Sequence, residues 1–138
     1  MTLTRRKFVK TSGLIAGGSI ILPVIIPSCA FGANDRITIG MIGTGDHGTS
    51  WNLAAYLKLD DCRVIAACDV DASRANKAKA IIDAKYGNKD CSVFYDFREL
   101  LERKDIDAVQ ISTPDHWHVP AAALALKKKK DVCCEKPT

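Results

Sequence analysis

Apolar and polar positions fall into alternating blocks along residues 36–138. Arg36-Ile37-Thr38-Ile39-Gly40-Met41-Ile42 reads as a buried strand with glycines after it. Residues 49–59 follow as a helix with apolar Trp51, Leu53, Ala54, Ala55, Leu57 and Leu59. A second apolar strand spans 63–68 and ends at Asp69. Residues 72–86 are rich in good helix formers and stop at Gly87-Asn88. A short strand at 92–95, a short amphipathic helix at 97–103 and a fourth strand at 108–112 come next, the last closed by Thr113-Pro114. An Ala/Leu helix over 119–128 leads into a fifth strand at 132–134. Near-continuous apolar strands separated by helices predict a parallel sheet covered on both faces. The fold class expected is therefore α/β, doubly wound, with strand order 3-2-1-4-5.

Composition adds one correction. The formal net charge of +4 suggests a basic protein. Arg5, Arg6, Lys7 and Lys10 precede the first acidic residue, Asp35; setting those four aside leaves sixteen basic residues against sixteen acidic ones. A neutral body gives no case for a nucleic-acid partner. Six cysteines invite a disulfide reading. Cys62, Cys68, Cys133 and Cys134, however, fall in or beside predicted core strands, where cysteine acts as a small apolar residue. Lys127 to Lys130 read as a solvated helix end that complements the helix dipole. No C-x-x-C pair and no ligand spacing among His47, His116 and His118 point to a metal.

Residues 1–33 read as an export leader, leaving 34–138 as the folded body. Gly13 to Ile26 is an apolar stretch of fourteen residues. As a helix it would reach about 21 Å, short of the roughly 30 Å hydrocarbon core, and Pro23 and Pro27 interrupt it. Ser28-Cys29-Ala30 suits a small-residue cleavage site. Thr4-Arg5-Arg6-Lys7-Phe8-Val9-Lys10 resembles the twin-arginine (Tat) motif. That resemblance implies the Tat translocase as a partner, carriage of folded cargo and a periplasmic or exported location. Ile26-Pro27-Ser28-Cys29 is a loose lipobox, which leaves a lipid anchor at Cys29 open.

The glycine loop carries the chemistry. Gly43-Thr44-Gly45-Asp46-His47-Gly48 is a G-x-G-x-x-G that follows a predicted strand and opens a helix, the setting of a Rossmann dinucleotide fingerprint. Gly43 permits the tight turn, Gly45 lets a pyrophosphate approach the backbone, and Gly48 lets the helix pack close to the sheet. Amides at the helix N-terminus would then hold the phosphates, with Thr44, Asp46 and His47 contributing through the same loop. Asp69, at the end of the second strand, is placed to accept from ribose hydroxyls, which favours NAD. Arg74 on the next helix keeps NADP open. Asp71 reads as a helix N-cap.

From Ile37 onward the chain resembles the glucose–fructose oxidoreductase/inositol dehydrogenase (Gfo/Idh/MocA) family. Three stretches carry the resemblance: "IGMIGTGDHG", "VIAACDVD" and "STPDHWHVPAAALALKKKKDVCCEKPT". It implies that Ser112, Thr113 and Pro114 line the cofactor, that His118 lies close to it, and that Glu135 approaches the nicotinamide-side ribose. It also implies that Lys136 is the catalytic residue, positioning a substrate hydroxyl and easing loss of its proton, with Pro137 fixing the turn. The chemistry implied is hydride transfer between NAD(P) and a sugar or polyol. NAD-dependent, redox-assisted glycoside hydrolysis and non-catalytic sugar or nucleotide binding are the alternatives. Where the family has a small residue and glycine, this chain has Lys128-Lys129; a left-handed lysine there would cost on the order of 1 kcal/mol. The family pattern continues into a substrate domain, so the chain reads as the N-terminal part of a longer protein that is expected to be a homo-oligomer.

Overall fold

The computed structural model describes residues 36–137. The twin-arginine motif, the leader 1–33 and Cys29 lie outside the described residues. Five strands, β1 (Ile37–Ile42), β2 (Cys62–Cys68), β3 (Ser92–Phe94), β4 (Ala108–Ile111) and β5 (Asp131–Cys134), form one sheet in the order β3-β2-β1-β4-β5. Every pairing is parallel. The order matches the expectation from the alternation of elements. Four helical segments connect the strands: α1, a wide π-type turn over Gly48–Leu53 that finishes α-helically over Ala54–Tyr56; α2 (Ala72–Tyr86); α3 (Phe97–Leu101); and α4 (His118–Lys127), entered through a 3-10 turn at Asp115–Trp117.

The helices cover opposite faces. Leu53 and Leu57 of α1 and Ala78 and Ile82 of α2 pack on Ile39, Met41, Val64 and Ala67. Leu100 and Leu101 of α3, with Ala121 and Ala125 of α4, pack on Ile42, Ala66, Val109 and Ile111. Val64 and Ala67 share a face although they are three residues apart, which a strict period of two forbids. A register slip absorbs the difference: Ile39 pairs with Val64, but Gly40 pairs with Ala66. In α1 only Leu53 and Leu57, one turn apart, are buried among the predicted apolar positions. Trp51 (70% exposed) faces outward from the π-type turn, which departs from a 3.6-residue period, and Leu59 (51%) lies beyond the end of the helix.

Asp71 caps α2 by accepting from the Ser73 amide at 2.8 Å. Asp107 accepts from the Thr38 amide at 2.9 Å and the Thr38 hydroxyl at 2.8 Å, tying the start of β1 to β4. Two expectations about the body need correction. Lys130 is not part of a solvated helix end: it is buried, and its Nζ donates to the carbonyls of Arg103 (2.6 Å) and Ile106 (2.7 Å). Cys133 is exposed, because the strand alternation turns it away from the face on which Val132 and Cys134 pack; Cys62, Cys68 and Cys91 are buried free thiols. Burial pushes the Cys68 thiol up to about 12.

Lys129 turns the chain from α4 into β5 with φ 60°, a left-handed conformation that a side chain disfavours. Lys129→Gly is expected to raise stability by about 0.5–1 kcal/mol. A higher denaturant midpoint at unchanged slope is the predicted observation; an unchanged or lower midpoint would count against strain at this turn.

Candidate nucleotide-binding site

The strand ladder runs on into the loops that shape the site. The Gly43 amide donates to the Cys68 carbonyl (2.9 Å), the Ser112 amide to Ile42 (2.8 Å) and the Glu135 amide to Ile111 (3.0 Å). The carboxyl ends of β2, β1, β4 and β5 are thereby fixed relative to one another. The sheet order reverses between β1 and β4, the switch point where open α/β sheets bind ligands.

A cleft of about 580 Å³ opens at these strand ends, within the size range of small-molecule sites. The glycine loop supplies one wall with Gly43, Gly45, Asp46, His47 and Gly48. Asp69 and Arg74 come from the end of β2 and from α2, and Ser112, Thr113 and Pro114 from the end of β4. Ten of the residues singled out in the sequence therefore meet around one space. Four do not lie on its wall. Thr44 is buried, and its amide donates to Asp69 Oδ2 at 2.8 Å. His118 is buried, with Nδ1 2.9 Å from the Pro137 carbonyl oxygen and Nε2 2.8 Å from that of Thr113. His118 thus joins the end of β4 to the turn after β5. Glu135 and Lys136 sit beyond β5, where Lys136 is exposed.

The loop's geometry explains its glycines. Gly43 has φ +86°, and a Cβ there would lie 2.6 Å from the carbonyl carbon and oxygen of Ser112. At Gly48 a Cβ would lie 2.3 Å from the Gly43 carbonyl oxygen. Gly45 has no such neighbour; the nearest atom is Arg74 Nη1 at 3.7 Å. Asp69 is nearly buried and accepts from the Thr44 amide and, through Oδ1, from the Asp71 amide at 3.0 Å. It anchors the glycine loop to β2 and lines the cleft.

Glu135 reaches the glycine loop through side chains. Its Oε1 accepts from Asn52 Nδ2 at 2.9 Å and lies 3.2 Å from His47 Nε2. The Asn52 amide first, and His47 second, hold the Glu135 carboxyl below its ordinary range. Trp51 stacks beside His47, with ring centroids 6.4 Å apart. At the other end Trp117 meets Phe97 edge to face at 5.9 Å, and both line the cleft with Arg98. Phe97 and Arg98 carried no sequence signal, since they open a short helix. Asn52 carried none either, being a polar residue on an otherwise ordinary helix. Gln110 did carry one, as the polar residue inside the apolar strand Ala108–Ile111.

A cradle open at Gly45, the buried Thr113 Oγ1 with no partner and an acid at the end of β2 fit a dinucleotide. The model of the "Oxidoreductase family, NAD-binding Rossmann fold" (Gfo/Idh/MocA) matches residues 37–138. The chain belongs to this family. Residues 37–138 of this Gfo/Idh/MocA protein match the family's NAD-binding Rossmann fold, and the parallel five-stranded sheet is of that kind.

Among curated relatives, a glycosyl hydrolase family 109 protein of Saccharopolyspora erythraea is 36% identical over 111 residues, covering 78% of this chain and 24% of the relative. An inositol 2-dehydrogenase of Rubrobacter xylanophilus is 32% identical over 106 residues, covering 77% and 28%. Among solved structures, scyllo-inositol dehydrogenase from Lactobacillus casei with bound NAD(H) and scyllo-inositol superposes with TM-score 0.65 at 30% identity, covering 74% of this chain and 28% of that one. A 3-ketoreductase from Actinomadura kijaniata in complex with NADP gives 0.63 at 28% identity, covering 74% and 30%. The chain spans about a quarter of the length of the first curated relatives it matches.

Proposed function

We propose that the full-length protein transfers hydride between NAD and a hydroxyl-bearing carbon of a sugar or polyol. The observation that carries this reading is the joining of a switch-point dinucleotide cleft to the Glu135-Lys136-Pro137 turn through Asn52 and His47. NAD, when bound, supplies the hydride acceptor. The chain's own residues do the rest. The glycine loop holds the diphosphate through backbone amides, Asp69 orients the ribose, and Glu135 stays ionised as an acceptor beside them. Lys136 lies exposed at the open end of the turn. There its ammonium stabilises a developing alkoxide and so lowers the pKa of the hydroxyl, whose proton passes to water or to a separate base. Similarity to inositol dehydrogenases supports a cyclic polyol or a sugar as the substrate class.

A second reading is favoured by the glycosyl hydrolase family 109 relatives: transient oxidation of a glycoside by NAD, elimination of the glycosidic group, addition of water to the resulting double bond, and re-reduction by the NADH formed in the first step. One experiment separates them. Full-length protein is given NAD with free polyols, or with nitrophenyl glycosides, while NADH and released nitrophenol are followed together. Stoichiometric NADH from a free polyol supports the dehydrogenase. Nitrophenol release without net NADH supports the hydrolase. Neither signal would leave a non-catalytic binder. With either activity, Lys136→Ala is expected to lower kcat about a hundredfold with a smaller change in KM; unchanged kcat would remove Lys136 from the chemistry.

We also propose export of the folded, cofactor-loaded protein by the twin-arginine route, supported by Arg5-Arg6 ahead of a weakly apolar stretch. Replacing both arginines by lysine is expected to retain the protein in the cytoplasm. Undiminished export of that variant would argue for a general secretory leader instead.

A further inference from the structure

Five polar side chains from three elements form one chain of hydrogen bonds on the α1 face of the sheet. Asn52 and Tyr56 stand one turn apart on α1, Gln110 and Ser112 two residues apart at the end of β4, and Glu135 follows β5. Gln110 is buried in the middle of the sheet, where an unpaired amide would be costly. Its Oε1 accepts from the Tyr56 hydroxyl at 2.8 Å. Its Nε2 donates to the Ile111 carbonyl (3.3 Å) and to Ser112 Oγ (3.2 Å). The Ile111 carbonyl only accepts, so the amide nitrogen must be the atom facing it, and the direction of every bond in the chain is fixed.

Asn52 follows the same logic. Its Nδ2 donates one hydrogen to Ser112 Oγ (2.8 Å) and the other to Glu135 Oε1 (2.9 Å). The ionised carboxylate only accepts, which fixes this amide as well. Ser112 Oγ therefore receives two N–H donors, and both its lone pairs are used. Its own proton is left over, on a residue that lines the cleft. The next residue, Thr113, carries the buried hydroxyl oxygen without a partner. Of these two neighbouring hydroxyls, that of Ser112 is committed to donating.

We propose that Asn52 and Gln110 are positioning residues of the nucleotide site: together they set Ser112 as a hydrogen-bond donor to a cofactor oxygen and hold Glu135 beside His47. The inference rests on the reading of the cleft as the NAD site. The π-type turn of α1 includes Asn52, and such turns recur at functional sites. No single sequence motif contains these residues; the pleat and the helix turn bring them together.

Titration of NAD into the full-length protein, followed by calorimetry, tests the proposal. Ser112→Ala is expected to weaken binding about tenfold. Asn52→Asp keeps the volume but removes both donated hydrogens, and should weaken binding by at least as much. Gln110→Met, which conserves volume without a donor, should give a smaller loss and covers the case in which the aspartate variant misfolds. The double variant Asn52→Asp with Ser112→Ala should lose scarcely more than the weaker-binding single variant, because both act through one hydroxyl. Wild-type affinity in Asn52→Asp, or strictly additive losses, would overturn the inference while leaving the NAD site standing. Absence of NAD binding by the unaltered protein would overturn both.

Discussion

Gly45→Val is expected to abolish saturable NAD binding while leaving the melting temperature within about 3 °C of the parent. The two halves of this result have separate causes. Beyond its chain neighbours, a Cβ at Gly45 meets nothing of the protein nearer than Arg74 Nη1 at 3.7 Å, the end of a flexible side chain that can give way to the γ-methyls. The space the valine takes is the space a diphosphate must enter to reach the loop amides. Calorimetric titration with NAD, paired with a thermal melt, reads both. Retained affinity would mean that the phosphates do not lie against Gly45. A large fall in melting temperature would mean that Gly45 serves packing and not the ligand.

Gly48→Ala should behave in the opposite way. The added methyl would stand 2.3 Å from the Gly43 carbonyl oxygen and 3.2 Å from Ser112 Cβ. These are the backbone of the glycine loop and the end of β4, neither of which can turn aside as a flexible side chain could. Overpacking costs roughly 1–3 kcal/mol and lies at the upper end against rigid neighbours, which for a domain of this size corresponds to a fall of about 10 °C or more in melting temperature. Loss of NAD binding should follow from displacement of the loop. A thermal midpoint unchanged within a few degrees would show that α1 can slide away from β1 at little cost. The two glycines of one motif thus have different masters: Gly48, like Gly43, is required by the protein's own packing, and Gly45 by what binds.

The sequence also bears on which part of the site could be read in advance. Gly43, Gly45, Gly48, Asp69, Ser112 and Thr113 lie at strand ends or in the loops that directly follow them. Parallel strands bring their carboxyl ends to one edge whatever the details of packing, so position along each strand was enough to place these residues together. Thr44 and His118 are a different matter. Both stand in the right segments, yet Thr44 turns inward onto Asp69 and His118 is spent on two carbonyls, Thr113 and Pro137. A motif places a backbone position, whereas the direction of a side chain depends on the partners that surround it.

The alternation of apolar blocks by itself determined the parallel sheet, its order and the edge where the cleft opens, because strand burial and right-handed crossovers leave few other ways to cover both faces. Only the tertiary structure decided the inward turn of Lys130, the outward face of Cys133 and the polar chain from Tyr56 to Glu135. Each of those depends on contacts between residues far apart in sequence. The separation is 83 positions for Asn52 and Glu135 and 24 for Lys130 and Ile106. Local pattern carries no information about which distant donor will meet which acceptor; the packed helices and the slipped register of β1 on β2 supply it.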